Sequence, residues 1–267
     1  MRLALLSDLH FGRASPELVP PLLAALERAA PDHIVIAGDF VQRARASQYD
    51  MARSFVDRLP APWLAVPGNH DIPLFNLLAR LAWPRRAYRR WIADDTEPML
   101  VTASCAILGL DTTHRWSRQG GRVDPAQIER VAGFIREHAA DRVVLIAAHH
   151  PFHQGAEIAK KLMRGAPRAL EAWAEAGPHV ILTGHLHRWL VEPFVSRKNR
   201  SATLQVHCGT GLSTRLRGEP NEFALIEIHD HAVEIRRMVA ESAETGFDAA
   251  GRWCFVIEAG DWALSED

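Results

Sequence analysis

The first half of the chain alternates short apolar runs with amphipathic stretches. Leu3 to Leu6 reads as a buried strand, and Val19 to Ala30 as a helix with Leu22, Leu23 and Leu26 at helical spacing. Pro20 and Pro21 suit only the first turn of that helix, where a missing N–H goes unnoticed. His33 to Ala37 is a second strand. Ser47 is placed as the cap of a helix carrying Met51, Phe55 and Leu59, and Trp63 to Val66 as a third strand. This βαβαβ succession predicts a mostly parallel sheet.

Residues 72–95 break the pattern. Leu74, Leu77, Leu78 and Leu81 form a helical stripe, Pro84 ends it, and Arg85, Arg86, Arg89 and Arg90 follow among Tyr88 and Trp91. Strands are expected near Met99 to Ala103 and Ala106 to Leu110. Asp124-Pro125 then starts a helix reaching about Ala139, with Asp at the cap and Pro at the first helical position. Val143 to Ala147 and Val180 to Thr183 are further buried strands. After Pro193, Thr203 to Cys208, Phe223 to Ile228 and Val233 to Met238 predict antiparallel strands, with a last one near Trp253 to Ile257. No repeat or linker interrupts the chain, so one domain over residues 1–267 is expected.

Composition narrows the possibilities. The 267 residues are 48% hydrophobic and 24% charged, ordinary values for a folded domain. The net charge of −1 supplies no global field for nucleic acid or an anionic membrane, so no stable nucleic-acid partner is expected and an anionic substrate must be attracted locally. Cys105, Cys208 and Cys254 are far apart and odd in number, which predicts free thiols in a reducing compartment. The apolar run at the N-terminus is too short for a membrane span or a signal core, so a cytoplasmic protein without a membrane span is expected.

Five polar pieces each follow a predicted strand: Asp8-Leu9-His10, Gly38-Asp39, Gly68-Asn69-His70-Asp71, His149-His150 and Gly184-His185-Leu186-His187. In a parallel sheet, ligands bind beyond the carboxyl ends of the strands, so these pieces should converge. Asp, Asn and His donors without a thiolate suit manganese, iron or zinc. Gly38, Gly68 and Gly184 are expected to permit tight turns before a ligand.

In order and spacing these pieces resemble the signature of the calcineurin-like metallophosphoesterases (D-x-H, G-D, G-N-H-D/E, H and G-H-x-H) over residues 3–187. The resemblance implies a four-layer αββα sandwich, two mixed β-sheets face to face with helices outside, in which the strands of residues 198–258 would build the second sheet. It implies two metal ions. Asp8, His10 and His187 would hold the first, Asn69, His149 and His185 the second, and Asp39 would bridge them. His70 would sit over the phosphate with Asp71 fixing its orientation, and a hydroxide bridging the metals would attack phosphorus.

The resemblance is greatest to the bacterial cyclic-nucleotide and glycerophosphodiester phosphodiesterases, which implies a small phosphodiester substrate. A phosphomonoesterase, a nuclease or a non-catalytic scaffold of the same fold are the alternatives. Arg43 either holds a substrate phosphate or makes a surface salt bridge, and His207 either lines the pocket or is structural. The segment from Trp83 to Trp91 reads as a solvated helix, a lid, or a surface for anionic lipid or a partner chain, and a homo-oligomer is compatible with the sequence.

Overall fold

The computed structural model describes residues 1–155, 158, 160–196 and 198–265. Strands β1 (Arg2–Leu6), β2 (His33–Ile36) and β3 (Trp63–Ala65) pair in parallel, connected by helices α1 (Val19–Ala29) and α2 (Ala46–Val56). A second sheet has the order β4-β5-β6-β7-β9-β8, from β4 (Met99–Val101), β5 (Cys105–Leu110), β6 (Val143–Ala148), β7 (His179–Thr183), β8 (Leu190–Phe194) and β9 (Thr203–His207). Helices α3 (Leu77–Ala82) and α4 (Arg86–Trp91) precede it, and α5 (Pro125–His138) and α6 (Ala166–Ala176) are its crossovers. The chain then returns to the first sheet as β10 (Asn221–His229), β11 (Ala232–Ala240), β12 (Phe247–Glu258) and β13 (Asp261–Leu264), giving the order β13-β12-β11-β10-β1-β2-β3.

Side chains that alternate along each strand divide the interior into three cores. Leu3, Leu5 and Val35 of the first sheet meet Val143, Leu145, Val180 and Leu182 of the second in the central core. Ala4, Leu6, Ile34 and Ile36 point the other way, onto Leu22, Leu26 and Phe55 of α1 and α2. Val144, Ile146 and Ile181 likewise meet Ile128, Ile135, Leu170 and Trp173 of α5 and α6. Burial on both faces is why these strands read as unbroken apolar runs. The result is two mixed sheets flanked by helices. Among the described residues, no helix is long and apolar enough to cross a membrane.

Several sequence expectations are corrected. Residues 198–258 do not build the second sheet: only β9 joins it, and β10 to β12 extend the first. The reason is register. β10 pairs with β1 so that Ile226 lies opposite Leu3 and Ala224 opposite Leu5, which sends both sets of apolar side chains into the central core. β9 is parallel to β7 and antiparallel only to β8. Ser47 lies inside α2, whose cap residue is Arg45; the turn before the helix is held instead by the Gln48 side chain accepting the Arg43 N–H at 2.8 Å. Leu77 and Leu78 are exposed, so the leucine stripe is not a core face.

α6, β8 and β13 have no clear counterpart in the hydrophobic pattern of the sequence. The buried face of α6 is largely alanine, and β8 is a half-buried edge strand containing Pro193, so both give weak periodic signals.

Asp124 accepts the Gln127 N–H at 3.0 Å while the Gln127 side chain accepts the Asp124 N–H at 3.1 Å, a reciprocal cap for α5. Asp124→Ala is expected to cost about 1 kcal/mol, read as a lower urea midpoint with bound metal unchanged.

Candidate metal centre

The five motif pieces sit at the carboxyl ends of β1, β2 and β3 of the first sheet and β6 and β7 of the second. Asp8, His10, Asp39, His185 and His187 all adopt left-handed backbone, with φ of 52°, 51°, 55°, 75° and 56°. For residues with a Cβ this costs about 1–3 kcal/mol each and persists only where surroundings impose it. Here Asp8 N–H donates to Gly38 O at 3.1 Å, His10 N–H to Asp39 O at 2.9 Å and Gly184 N–H to His149 O at 3.1 Å, lacing the turns together.

The glycines serve two purposes. Gly38 is itself left-handed, at φ +82°. Gly68, at φ −101°, and Gly184 are not left-handed. They are needed for room. A Cβ on Gly68 would lie 2.2 Å from Asp39 Oδ1, and one on Gly184 would lie 1.7 Å from Ser7 Oγ and 2.5 Å from Asp8 Oδ2.

Two groups of donors converge, as the sequence predicts. In one, His187 Nε2 is 3.0 Å from Asp8 Oδ1 and 3.1 Å from His10 Nε2, and His10 Nε2 is 3.4 Å from Asp8 Oδ1. His187 Nδ1 donates to Arg215 O at 2.7 Å, so in the neutral ring Nε2 carries a lone pair. Asp8 Oδ1 is buried without a hydrogen-bond partner among the described residues. In the other group, His149 Nδ1 donates to Ala37 O at 2.7 Å, aiming the Nε2 lone pair at Asn69 Oδ1 (3.2 Å), His185 Nδ1 (3.2 Å) and Asp39 Oδ2 (3.3 Å). Asp39 Oδ2 also lies 3.7 Å from His10 Nε2, between the groups.

Buried acceptors facing one another repel unless a cation lies among them, so this donor set fits metal ions. Without them, protons must serve. Burial raises Asp8 and Asp39, but the surrounding histidines, His187 for Asp8 and His149 for Asp39, overcome it and hold both carboxyls well below their usual range. Burial opposes protonation of His149, yet Asp39 prevails and pushes it up to about 9.

Asp71 does not orient His70. Its Oδ1 accepts the Val41 N–H at 3.1 Å and its Oδ2 the Gly68 N–H at 2.8 Å, so it ties two motif loops together from below. His70 is oriented by main chain: its Nδ1 donates to Gln42 O at 2.8 Å, and its ring stands edge-on to His10 at 4.8 Å. Arg43 Nη1 lies 3.3 Å from His70 Nδ1 and donates to Gln42 O, with no carboxylate in ion-pair distance among the described residues. His207 is 4% exposed with Nδ1 2.9 Å from Thr183 Oγ1, buried behind the His185 turn. His150 Nδ1 lies 2.8 Å from Thr112 Oγ1 and its ring is 4.7 Å from that of His185, beside the second group.

Four further residues, which no sequence motif marks, adjoin the centre. Ser7 Oγ donates to Asp8 Oδ2 at 2.6 Å, and Gln42 and Arg215 supply the carbonyls that orient His70 and His187. Lys160 Nζ lies 3.4 Å from His185 Nε2, and burial, then Arg217, lowers it to about 8. Main-chain contacts leave no side-chain signal, and Lys160 belongs to no motif. Only Ser7, adjoining Asp8, was open to inference.

A model of the calcineurin-like phosphoesterase family matches residues 1–189, and the chain belongs to that family, as a metal-dependent phosphoester hydrolase. It is 26% identical over 202 residues to a probable cyclic nucleotide phosphodiesterase of Rhodopseudomonas palustris, covering 70% of this chain and 72% of that protein. It is 34% identical over 84 residues to a glycerophosphodiester phosphodiesterase of Enterobacter lignolyticus, covering 27% of this chain and 30% of that one. These names fall in the branch its motifs resemble. In fold it is similar to a purple acid phosphatase from yellow lupin, with a TM-score of 0.71 at 11% identity over 95% of this chain and 53% of that one. The chain thus spans about half the length of that phosphatase.

Gly184→Ala is expected to remove bound metal while the protein remains folded, as measured by elemental analysis beside circular dichroism; full metal content would contradict the packing argument. Because metal must displace the proton that His149 holds up to about 9, affinity for Mn²⁺ should rise with pH below that value. The contribution of that one proton is about tenfold per pH unit, measurable by calorimetric titration of the metal-free protein.

Proposed function

We propose that the chain hydrolyses a small phosphodiester, such as a cyclic nucleotide or a glycerophosphodiester, at a centre of two metal ions. The observation that carries the reading is the position of Asp39 Oδ2, within 3.3 Å of His149 Nε2 on one side and 3.7 Å of His10 Nε2 on the other. Asp8, His10 and His187 would hold one ion, Asn69, His149 and His185 the second, and Asp39 both. Manganese, iron or zinc suits these oxygen and nitrogen donors. When bound, such ions activate water and offset charge on the phosphate. The names of the relatives support the choice of a diester.

The chain's own groups divide the remaining work. Lys160, beside His185, and Arg43, beside His70, are cations at the centre, and they draw in the anion that a net charge of −1 would not. His70, with Nδ1 committed to Gln42 O, leaves Nε2 to face the phosphate. Burial lowers its pKa, so the ring is neutral in the free protein near pH 7. An arriving phosphate anion favours its protonation, and Nε2–H then passes the proton to the departing alkoxide oxygen. Asp71 acts by holding the Val41 and Gly68 loops. Three cysteines without disulfides, two of them buried, support a reducing compartment such as the cytoplasm.

Elemental analysis should find about two metal equivalents per chain, and bis(p-nitrophenyl) phosphate should be turned over. Neither metal nor turnover would leave a binding scaffold as the reading. Asp39→Asn should lower the metal content. His70→Ala should keep it and lose about 10²–10⁴ in kcat on a glycerophosphodiester, whose alkoxide needs a proton. The loss on bis(p-nitrophenyl) phosphate, whose phenolate does not, should be far smaller; equal losses would remove the proton role.

A further inference from the structure

Two stretches of the chain hold eight arginines and no carboxylate: Arg80, Arg85, Arg86, Arg89 and Arg90 in residues 72–93, and Arg115, Arg118 and Arg122 in residues 114–122. In a chain of net charge −1 this is a strong segregation, and acids resume only at Asp94. The structure sets the two stretches side by side. Arg80, 4% exposed, donates from Nε to Arg115 O at 2.8 Å, and Arg115 Nη1 donates to Leu81 O at 2.9 Å. Arg85 is paired with Asp111. Arg86, Arg89 and Arg90 are exposed, and among the described residues no carboxylate lies within ion-pair distance of them.

The same two stretches carry large apolar side chains in water. Phe75 is 74% exposed, Leu77 58%, Leu78 74%, Trp83 57% and Trp116 73%. Leu78 and Trp83 wall a groove of about 420 Å³ with Arg86 and Arg90 on its border, and Trp83 shares a second hollow with Arg89 and Arg115. Single exposed apolar residues are ordinary, but this density in one place marks a surface that is covered when the protein works.

We propose that this face docks on an anionic phospholipid bilayer. Phe75, Leu77, Leu78, Trp83 and Trp116 enter the boundary between headgroups and acyl chains, while Arg86, Arg89 and Arg90 pair with lipid phosphates. Two features select this occupant. Arginines with no acid among them complement a surface of one sign, whereas a twofold contact between copies of the chain would set arginine against arginine. Exposed leucines beside tryptophan suit acyl chains and have no use against the phosphates of a nucleic acid. The face also adjoins the metal centre, since Asn69 Nδ2 donates to Arg118 O at 3.3 Å. A phosphoester at the bilayer surface would therefore be met near the donors. The protein rests on the bilayer rather than crossing it.

Flotation with vesicles of phosphatidylcholine, alone or mixed with phosphatidylglycerol, tests this. Binding is expected only to the mixed vesicles and should weaken with salt. The triple variant Arg86→Gln, Arg89→Gln, Arg90→Gln should bind about a hundredfold less, at roughly fivefold per arginine. Phe75→Ser, Leu78→Ser, Trp83→Ser should also detach. Both variants should hydrolyse bis(p-nitrophenyl) phosphate at the parent rate, which shows them folded. If the parent protein has no such hydrolysis, the proposed reaction fails while flotation and circular dichroism still decide the docking. Absence of binding to anionic vesicles overturns the proposal, as does equal binding by the variants. So do a dimer in light scattering that the apolar variant dissolves, and an oligonucleotide complex that the arginine variant abolishes without any effect of vesicles.

Discussion

The arrangement turns on a repulsion. Lone pairs of His10, His187, His149, Asp8, Asp39 and Asn69 are held a few ångströms apart where almost no water reaches them, and main-chain carbonyls take the opposite edges of His187 and His149. Such a cluster is tolerable only with positive charge inside it. Protons can serve, which is why His149 holds one so firmly, but metal ions answer the geometry as well as the charge.

Keeping this cluster in place demands rigidity from the turns around it. Five of the donors have left-handed backbone, a conformation that their own residue types disfavour. Strands buried on both faces hold the turns from below, and loops laced by main-chain hydrogen bonds hold them from the sides. Asp71 belongs to this framework: its carboxylate accepts from Val41 and Gly68 and so joins the Asp39 and Asn69 loops. Strain at the turns is thus borne by the packing of three cores.

The reactive centre and the arginine-rich face meet at the loop of residues 114–122, which gives a main-chain carbonyl to Asn69 and to Arg80 in turn. In the reading proposed above, attraction of anions would be local and twofold. Lys160 stands beside His185 and Arg43 beside His70, and a broader basic and apolar surface lies near them. A nearly neutral chain thereby gains two electropositive regions without a field over the whole molecule.

The sequence by itself determined the strands β1, β2, β3, β6 and β7, because burial on both faces writes unbroken apolar runs, and it marked the polar residues that converge at their ends, because each follows such a run directly. The cap of α5 was legible for a similar local reason: Asp124-Pro125 acts within one turn. Only the tertiary structure decided which sheet β10 to β13 would join, since alternation says which way a strand faces and not which neighbour it takes. It also decided the surroundings of Asp71 and Lys160. The partners of Asp71 are backbone amides and the neighbour of Lys160 is His185, 25 residues away. Contacts of this kind exist only once distant segments have been folded together.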